Sequence, residues 1–278
     1  MKLFTLNTHS LSGDDPQKNV ATLAEFLADE TPHVIALQEV NQIADEVAAA
    51  FDSFPLAPVT GSPDVPIKKG NFLMTLSGLL SDMGIYYHMC YLPVKRGYGI
   101  FDEGLALLST KTITNARCIP LGGCNDYGDW RTRAALLCEI PDLGITVCNL
   151  HTSRADDKDS SFLYEWERLK KNLPQKHRIF LMGDFNCPAH LCGGGYEKII
   201  SDGYFDMYRL ASKPIGCATV NDSIDGWRDV AVSPDGMRID FIFSNQRYEN
   251  ETVTYRSVLD GVCGEAVSDH FGITVEII

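Results

Sequence analysis

Apolar residues along this chain follow two rhythms. Short runs that are apolar at nearly every position alternate with stretches in which apolar residues return at every third or fourth place. The first rhythm belongs to strands buried on both faces, the second to helices with one face on a core. Residues 2–7 (KLFTLN) open the chain as such a strand. Asp15-Pro16 then supplies an N-cap followed by proline at the first helical position, and Val20, Leu23, Ala24 and Leu27 keep helical spacing until Thr31-Pro32 ends the helix. Residues 33–40 (HVIALQEV) form a second buried strand. If the two strands of this β-α-β unit are parallel, Asn7 and Glu39 emerge at the same strand ends and can meet there.

Residues 57–70 are rich in Pro, Gly and Lys and predict an exposed loop before a helix over 73–80. Further strands are predicted at 104–110, 134–140, 145–152, 178–184, 238–244, 252–259 and 271–278. Between them Phe162, Leu163, Trp166, Leu169 and Leu173 share one helical face, capped by Ser160 or Ser161. The mixture is α/β with more strand than helix. No linker, repeat or low-complexity segment interrupts it, so one domain over residues 1–278 is expected.

Composition narrows the class. A hydrophobic fraction of 45% with 22% charged residues is that of a globular protein. The opening MKLFTLNTHS contains no long apolar stretch, and no apolar run approaches the length of a membrane span, so a cytoplasmic protein without a membrane partner is expected. Nine cysteines, an odd number with no C-x-x-C pair, argue against a disulfide framework and a cysteine zinc site; Cys138 and Cys148 read as core residues. A net charge of −13 counts against a general electrostatic grip on nucleic acid. Lys68, Lys69, Lys95 and Arg96 read as solvated loop charges.

Candidate chemistry lies where the buried runs stop. IFLMGDFNCP (179–188) passes within two positions from core residues to Asp184 and Asn186, which share a side if the extended conformation continues. Asn7, Glu39, His151, Asp240 and Asp269-His270 are placed similarly. Each alone has a structural explanation: an Asx turn at Asp184, or an ion pair of Asp240 with Arg238. Together they supply hard oxygen ligands for a divalent cation, donors for a phosphate and an imidazole that titrates near neutrality. Arg131 and Arg133 add charge for an anion. Gly-rich phosphate loops and G-x-S-x-G are missing.

The ordered set TLN, LQEV, EGLALLS, NLHTS, MGDFN, RIDFIF and SDH resembles the endonuclease/exonuclease/phosphatase superfamily, the metal-dependent phosphoesterases related to DNase I. The resemblance implies a four-layer α/β sandwich, two packed mixed β-sheets flanked by helices, with the active site at one end. It implies Glu39 as the principal metal carboxylate, supported by Asn7 and Asp269, with Mg²⁺ or Mn²⁺ as the ion. Asp184 would orient or activate water and Asn186 contact a phosphoryl oxygen. His151, partnered by Glu103, would donate to the phosphoryl group or leaving group, and His270, oriented by Asp240, is the histidine usually drawn as general base. Arg131 aligns with a phosphate-contacting arginine.

NTHS, LQEVNQ, FDEGLALLS, DYGDWRTRAAL, GDFNCPAH, GGGYEKI and IDGW are more similar to a bacterial branch whose characterised members include maltose 6'-phosphate phosphatase. CNLHTSRADDKDSSF lacks the Trp-rich stretch, and HMCYLP the aromatic residues, associated with that branch. The implied function is a phosphatase of a phosphorylated sugar, a small-molecule phosphoester. Tyr127, Trp130, Asp225 and Trp227 would bind the substrate, rings stacking on sugar faces and Asp accepting from hydroxyls. A nuclease or other phosphodiesterase is the alternative, and the acidity counts against it. A catalytically silent binding module is a further alternative, against which the retained Glu39, His151, Asp184, Asn186, Asp240 and His270 count.

Overall fold

The computed structural model describes residues 1–49, 56–154, 161–175, 177–221, 224, 227 and 236–278. The chain runs through β1 (Lys2–Asn7), α1 (Pro16–Glu30), β2 (Val34–Ile43), α2 (Phe72–Asp82), β3 (His88–Gly97), β4 (Phe101–Ser109) and β5 (Thr114–Pro120). It continues with β6 (Ala134–Ile140), β7 (Ile145–His151), α3 (Phe162–Asn172), β8 (Arg178–Asp184), α4 (Gly195–Ser201), β9 (Phe205–Asp206) and α5 (Met207–Leu210). The last strands are β10 (Asp240–Ser244), β11 (Val253–Val258) and β12 (Gly272–Ile277). One six-stranded sheet has the order β11-β12-β1-β2-β4-β3, the other β5-β6-β7-β8-β10-β9.

Strand alternation explains the layers. In β1 and β2, Leu3, Val34 and Ala36 point toward the second sheet, where they meet Leu136, Val147, Phe180 and Met182. Their neighbours Phe4, Leu6, Ile35 and Leu37 point outward and are covered by Leu23 and Leu27 of α1 and Leu73 and Leu76 of α2. On the opposite side Phe162, Trp166 and Leu169 of α3 and Ile199 of α4 cover Leu181, Phe241 and Phe243. The result is a four-layer α/β sandwich, helix-sheet-sheet-helix, as the resemblance implies. β1 and β2 are parallel, and the α1 crossover starts at Asp15, whose side chain accepts from Lys18 N at 3.1 Å. No helix among the described residues is long and apolar enough to cross a membrane, and no disulfide forms among them.

Two irregularities shape one end of the sandwich. The pairing of β2 with β4 shifts between Leu37 and Val40, and that of β3 with β4 shifts between Pro93 and Lys95. A bulge leaves backbone groups without ladder partners. At the first, Asn149 of the facing sheet reaches across the core: its Nδ2 donates to Leu37 O (2.9 Å) and Ala106 O (2.8 Å), and its Oδ1 accepts from Gln38 Nε2 (2.7 Å). Asn149→Ala would orphan two buried carbonyls and leave a hole, so it is expected to cost about 3 kcal/mol in urea unfolding. A loss below about 1 kcal/mol would contradict this account of the bulge.

Candidate active site

The inward-facing positions that hold apolar residues in mid-sheet become polar at one end of the sandwich. Following Leu3, Val147, Phe180, Ile242 and Leu105 along their strands by twos reaches Asn7, His151, Asp184, Asp240 and Glu103. The two bulges add what alternation alone would turn away. Glu39 sits at the β2 bulge with φ of 50°. Lys95, two places past Pro93, is brought opposite Glu103 and is only 6% exposed. Without the shift in β3 it would face outward with Tyr91.

Four side chains converge on one oxygen, Asp184 Oδ2. Asn7 Nδ2 donates to it at 3.2 Å and Asn186 Nδ2 at 3.3 Å. His151 Nε2 lies 3.7 Å away and His270 Nε2 3.9 Å away. Behind His270, Asp240 Oδ2 accepts from Nδ1 at 2.9 Å. Asn7 also donates to Glu39 Oε1 at 3.0 Å, so one amide spans both carboxylates. The chain does not stay extended after Asp184. Asn186 has φ of 46°, and its backbone N–H donates to Asp184 Oδ1 at 2.8 Å. An Asx turn therefore curls Asn186 back over Asp184, and the turn itself brings the pair together. Arg238 pairs with Asp206 (2.8 Å), which leaves Asp240 to His270.

Burial and charge separate the titrating groups. Burial opposes ionisation of Glu39, but hydrogen bonds from His9 and from the Asn7 amide outweigh it and hold the carboxyl well below its usual range. Asp184 is driven the other way. Burial first, then the charge of Asp240, pushes it up to about 7, despite His270 and the Asn186 and Asn7 hydrogen bonds. Burial would discharge His270, but Asp240, Asp184 and Asp269 overcome that and push it up to about 10. His151 falls well below its usual value through burial and then the Arg133 charge. At neutral pH the site thus holds an imidazolium at His270 and a neutral imidazole at His151.

The polar end opens into a cavity of about 860 Å³, lined by Glu39, Lys95, Arg133, His151, Asn186 and Trp130 among others. Several assignments change here. Lys95 is no solvated loop residue: its Nζ lies 3.1 Å from Glu103 Oε1, closer than His151 Nδ1 at 3.8 Å from the same oxygen. Arg96 lines the cavity as well, on β3 rather than in a loop. Arg131 is bound by Asp129 at 2.6 Å, and Arg133 takes its place in the lining. Tyr127 does not line the cavity; its phenol is raised by burial and then by the charge of Asp102. Trp130, 61% exposed, stands at the rim with Tyr98. Trp227 is buried: its Nε1 donates to Asn186 Oδ1 at 2.9 Å and Arg154 stacks 4.3 Å from its ring centre, so its face is covered. Asp225 lies outside the described residues.

Two groups of side chains could hold a divalent cation. Ligand atoms of Asp184, Asp240 and His270 lie within 4.8 Å of one another, and Asp240 Oδ1 is buried with no hydrogen-bond partner. Glu39 and Asp269 form the second group, bridged by His9, whose Nδ1 is 3.4 Å from Glu39 and 3.8 Å from Asp269. Both are oxygen-rich and suit Mg²⁺ or Mn²⁺. The second is the better fit, because Glu39 stays ionised and lines the cavity, whereas the first is more deeply buried and already neutralised by His270.

Residues 4–270 match the model of the Endonuclease/Exonuclease/phosphatase family. The chain belongs to this family. An endonuclease/exonuclease/phosphatase family protein from Leptotrichia buccalis is similar over 100% of this chain and 99% of its own, at 25% identity and a TM-score of 0.83. A mannosyl-6-phosphatase from Bacteroides thetaiotaomicron covers the same shares at 17% identity and a TM-score of 0.62. An AP endonuclease from Archaeoglobus fulgidus does so at 18% and 0.62. No curated protein matches the sequence significantly. Endonuclease/exonuclease/phosphatase family members are metal-dependent phosphoester hydrolases, which fits the oxygen-rich cluster here. The pattern of the sequence does not place His9, Lys95 or the Trp227–Asn186 bond in the site. NTHS next to a strand end is a signal for His9; nothing local marks Lys95 as buried.

Proposed function

We propose that this protein is a cytoplasmic, divalent-metal-dependent phosphomonoesterase of a small phosphorylated sugar, working as one unit over residues 1–278. The observation that carries this reading is the charge of the cavity. Among the described residues its lining has four cations, Lys95, Arg96, Arg133 and Arg154, against the carboxylates Glu39 and Glu103, in a chain of net charge −13. Positive charge confined to a pocket on an acidic protein attracts a small anion and repels a polyanion. Tyr98 and Trp130 at the rim offer exposed rings for a sugar face. The fold alone is neutral on this point, since similar structures are named both phosphatase and endonuclease.

Each residue then has a role set by its surroundings. Glu39 and Asp269 would hold Mg²⁺ or Mn²⁺, with Asn7 fixing the Glu39 carboxylate; such an ion would supply Lewis-acid polarisation of the phosphoryl group. Asp184, with its pKa near 7, accepts the proton of the attacking water. His270 keeps its proton, oriented by Asp240, and stabilises the Asp184 carboxylate and the phosphoryl charge. Asn186 keeps its bond to Thr152 O and turns the hydrogen of its long bond to Asp184 toward a phosphoryl oxygen, its amide orientation fixed by Trp227 on Oδ1. Neutral His151, beside Glu103, donates on the leaving-group side.

The test is phosphate release from a panel of sugar phosphates, including disaccharide phosphates, alongside cleavage of duplex and abasic DNA. With Mg²⁺, one or more sugar phosphates should be hydrolysed, EDTA should stop it, and Glu39→Gln should slow it roughly a thousandfold, the several kcal/mol that a Lewis-acid metal supplies. Metal-dependent DNA cleavage with every sugar phosphate untouched would overturn the reading in favour of a nuclease.

A further inference from the structure

We infer that Lys95 and Arg133 determine specificity by reading the second negative charge of a terminal phosphate, so that the site favours phosphomonoesters over diesters. This rests on the phosphoesterase reading above and adds the residues that set its substrate class.

The geometry comes from an unbalanced charge. Lys95 is buried at the β3 bulge with Nζ 3.1 Å from Glu103 Oε1, and His151 Nδ1 faces that same oxygen at 3.8 Å. Glu103 therefore offsets one cation. Arg133 lines the same wall, and its Nη1 donates only to backbone carbonyls, Trp130 O at 3.1 Å and Thr132 O at 3.4 Å. Among the described residues it forms no ion pair, and its Nε is buried without a hydrogen-bond partner. Glu39, the other carboxylate of the lining, is the one assigned to the metal ion, so among the described residues Arg133 beside His151 has no carboxylate paired with it. A guanidinium whose Nε is buried without a partner carries a cost, and an anion bound there removes it.

Near neutral pH a phosphomonoester carries close to two negative charges and a diester one. A cation held at Glu39 would serve the charge both share. The extra unesterified oxygen of a monoester is the group that Lys95 and Arg133 can bind. In a diester that position carries a neutral substituent, which would desolvate the two cations and give them nothing in return. Such a mismatch discriminates more strongly than a difference in apolar fit. The placement of Lys95 by a register shift, rather than on a mobile loop, keeps the charge in position.

The experiment uses 4-nitrophenyl phosphate and methyl 4-nitrophenyl phosphate, which share a leaving group and differ by one methyl and one charge. kcat/KM for each is measured with Mg²⁺ for the wild type, Lys95→Met, Arg133→Gln and the charge-keeping Lys95→Arg and Arg133→Lys. The wild type is expected to prefer the monoester, and Lys95→Met and Arg133→Gln each to lower that preference about 100-fold, as for loss of one preorganised donor. Arg133→Lys should recover a large part of it. Lys95→Met leaves Glu103 buried without its cation, so its fold is checked by circular dichroism; Arg133 is partly exposed, and its variants keep the test independent of folding. Equal losses on both esters, or a wild type that prefers the diester, would overturn the inference while the phosphoesterase reading stands. Hydrolysis of neither ester by wild type would remove that reading, and this one with it.

Discussion

Asp184→Asn is expected to lower kcat roughly a thousandfold or more without unfolding the protein, the size of effect lost with a positioned general base. Asn has the shape of Asp and can still accept from the Asn186 backbone through Oδ1, but it places an NH2 where Oδ2 accepts from Asn7, and it cannot take a proton from water. The pH profile carries the same assignment with a defined sign. Asp184 acts as the carboxylate, and its pKa is pushed up to about 7, so kcat/KM should rise with pH until that group is ionised and then level off. A cation bound at Glu39 lowers that value, which places the rising limb at or below pH 7. His270 acts protonated and is pushed up to about 10, so activity should fall only as the pH approaches that value. Profiles of wild type and His270→Asn decide the matter. His270→Asn should lose the alkaline limb and keep the acid one, moved to higher pH because the His270 charge no longer holds Asp184 down. Loss of the acid limb in His270→Asn would transfer the base role from Asp184 to His270.

Alternation makes much of the site legible in the sequence. Asn7, Glu103, His151, Asp184 and Asp240 lie an even number of places from core residues on regular strands, so a polar residue at one end of a buried run marks each of them. The parallel β1–β2 crossover likewise comes from helical spacing between two apolar runs. Register shifts are different. A bulge reverses the face of everything beyond it without changing composition, so nothing in YLPVKRG distinguishes a buried Lys95 from an exposed one. That is why Lys95 reads as a loop charge and why β3 itself, broken by Pro93 and two basic residues, reads as no strand at all. Asn149 hides for the opposite reason. It lies within the apolar run of β7, and its partners Leu37 and Ala106 are distant in sequence. Arg131 and Arg133 share a face by spacing, and only the Asp129 side chain, which captures the first, decides which one reaches the cavity.

Gly183→Ala is expected to cost about 4 kcal/mol, a large fraction of what holds an ordinary domain together. Gly183 has φ of 134°, a conformation that L side chains rarely adopt. A Cβ there would lie 2.1 Å from Leu150 O, 3.0 Å from Leu150 C and 3.1 Å from Gln38 Nε2. None of these can give way cheaply. Leu150 is paired with Gly183 in the parallel ladder between β7 and β8, and Gln38 holds Asn149 across the core at 2.7 Å. The close approach is what lets Asp184, the next residue, lie opposite His151 within the same ladder. Gly78 provides the contrast: it lies in α2 with nothing within 4 Å of its virtual Cβ, so Gly78→Ala should be neutral or stabilise by about 0.5–1 kcal/mol. Urea unfolding of the two variants beside wild type measures both signs at once. If Gly183→Ala unfolded within about 1 kcal/mol of wild type, the β7–β8 ladder would have to yield where it is densest, and the fixed placement of Asp184 against His151 would lose its structural basis.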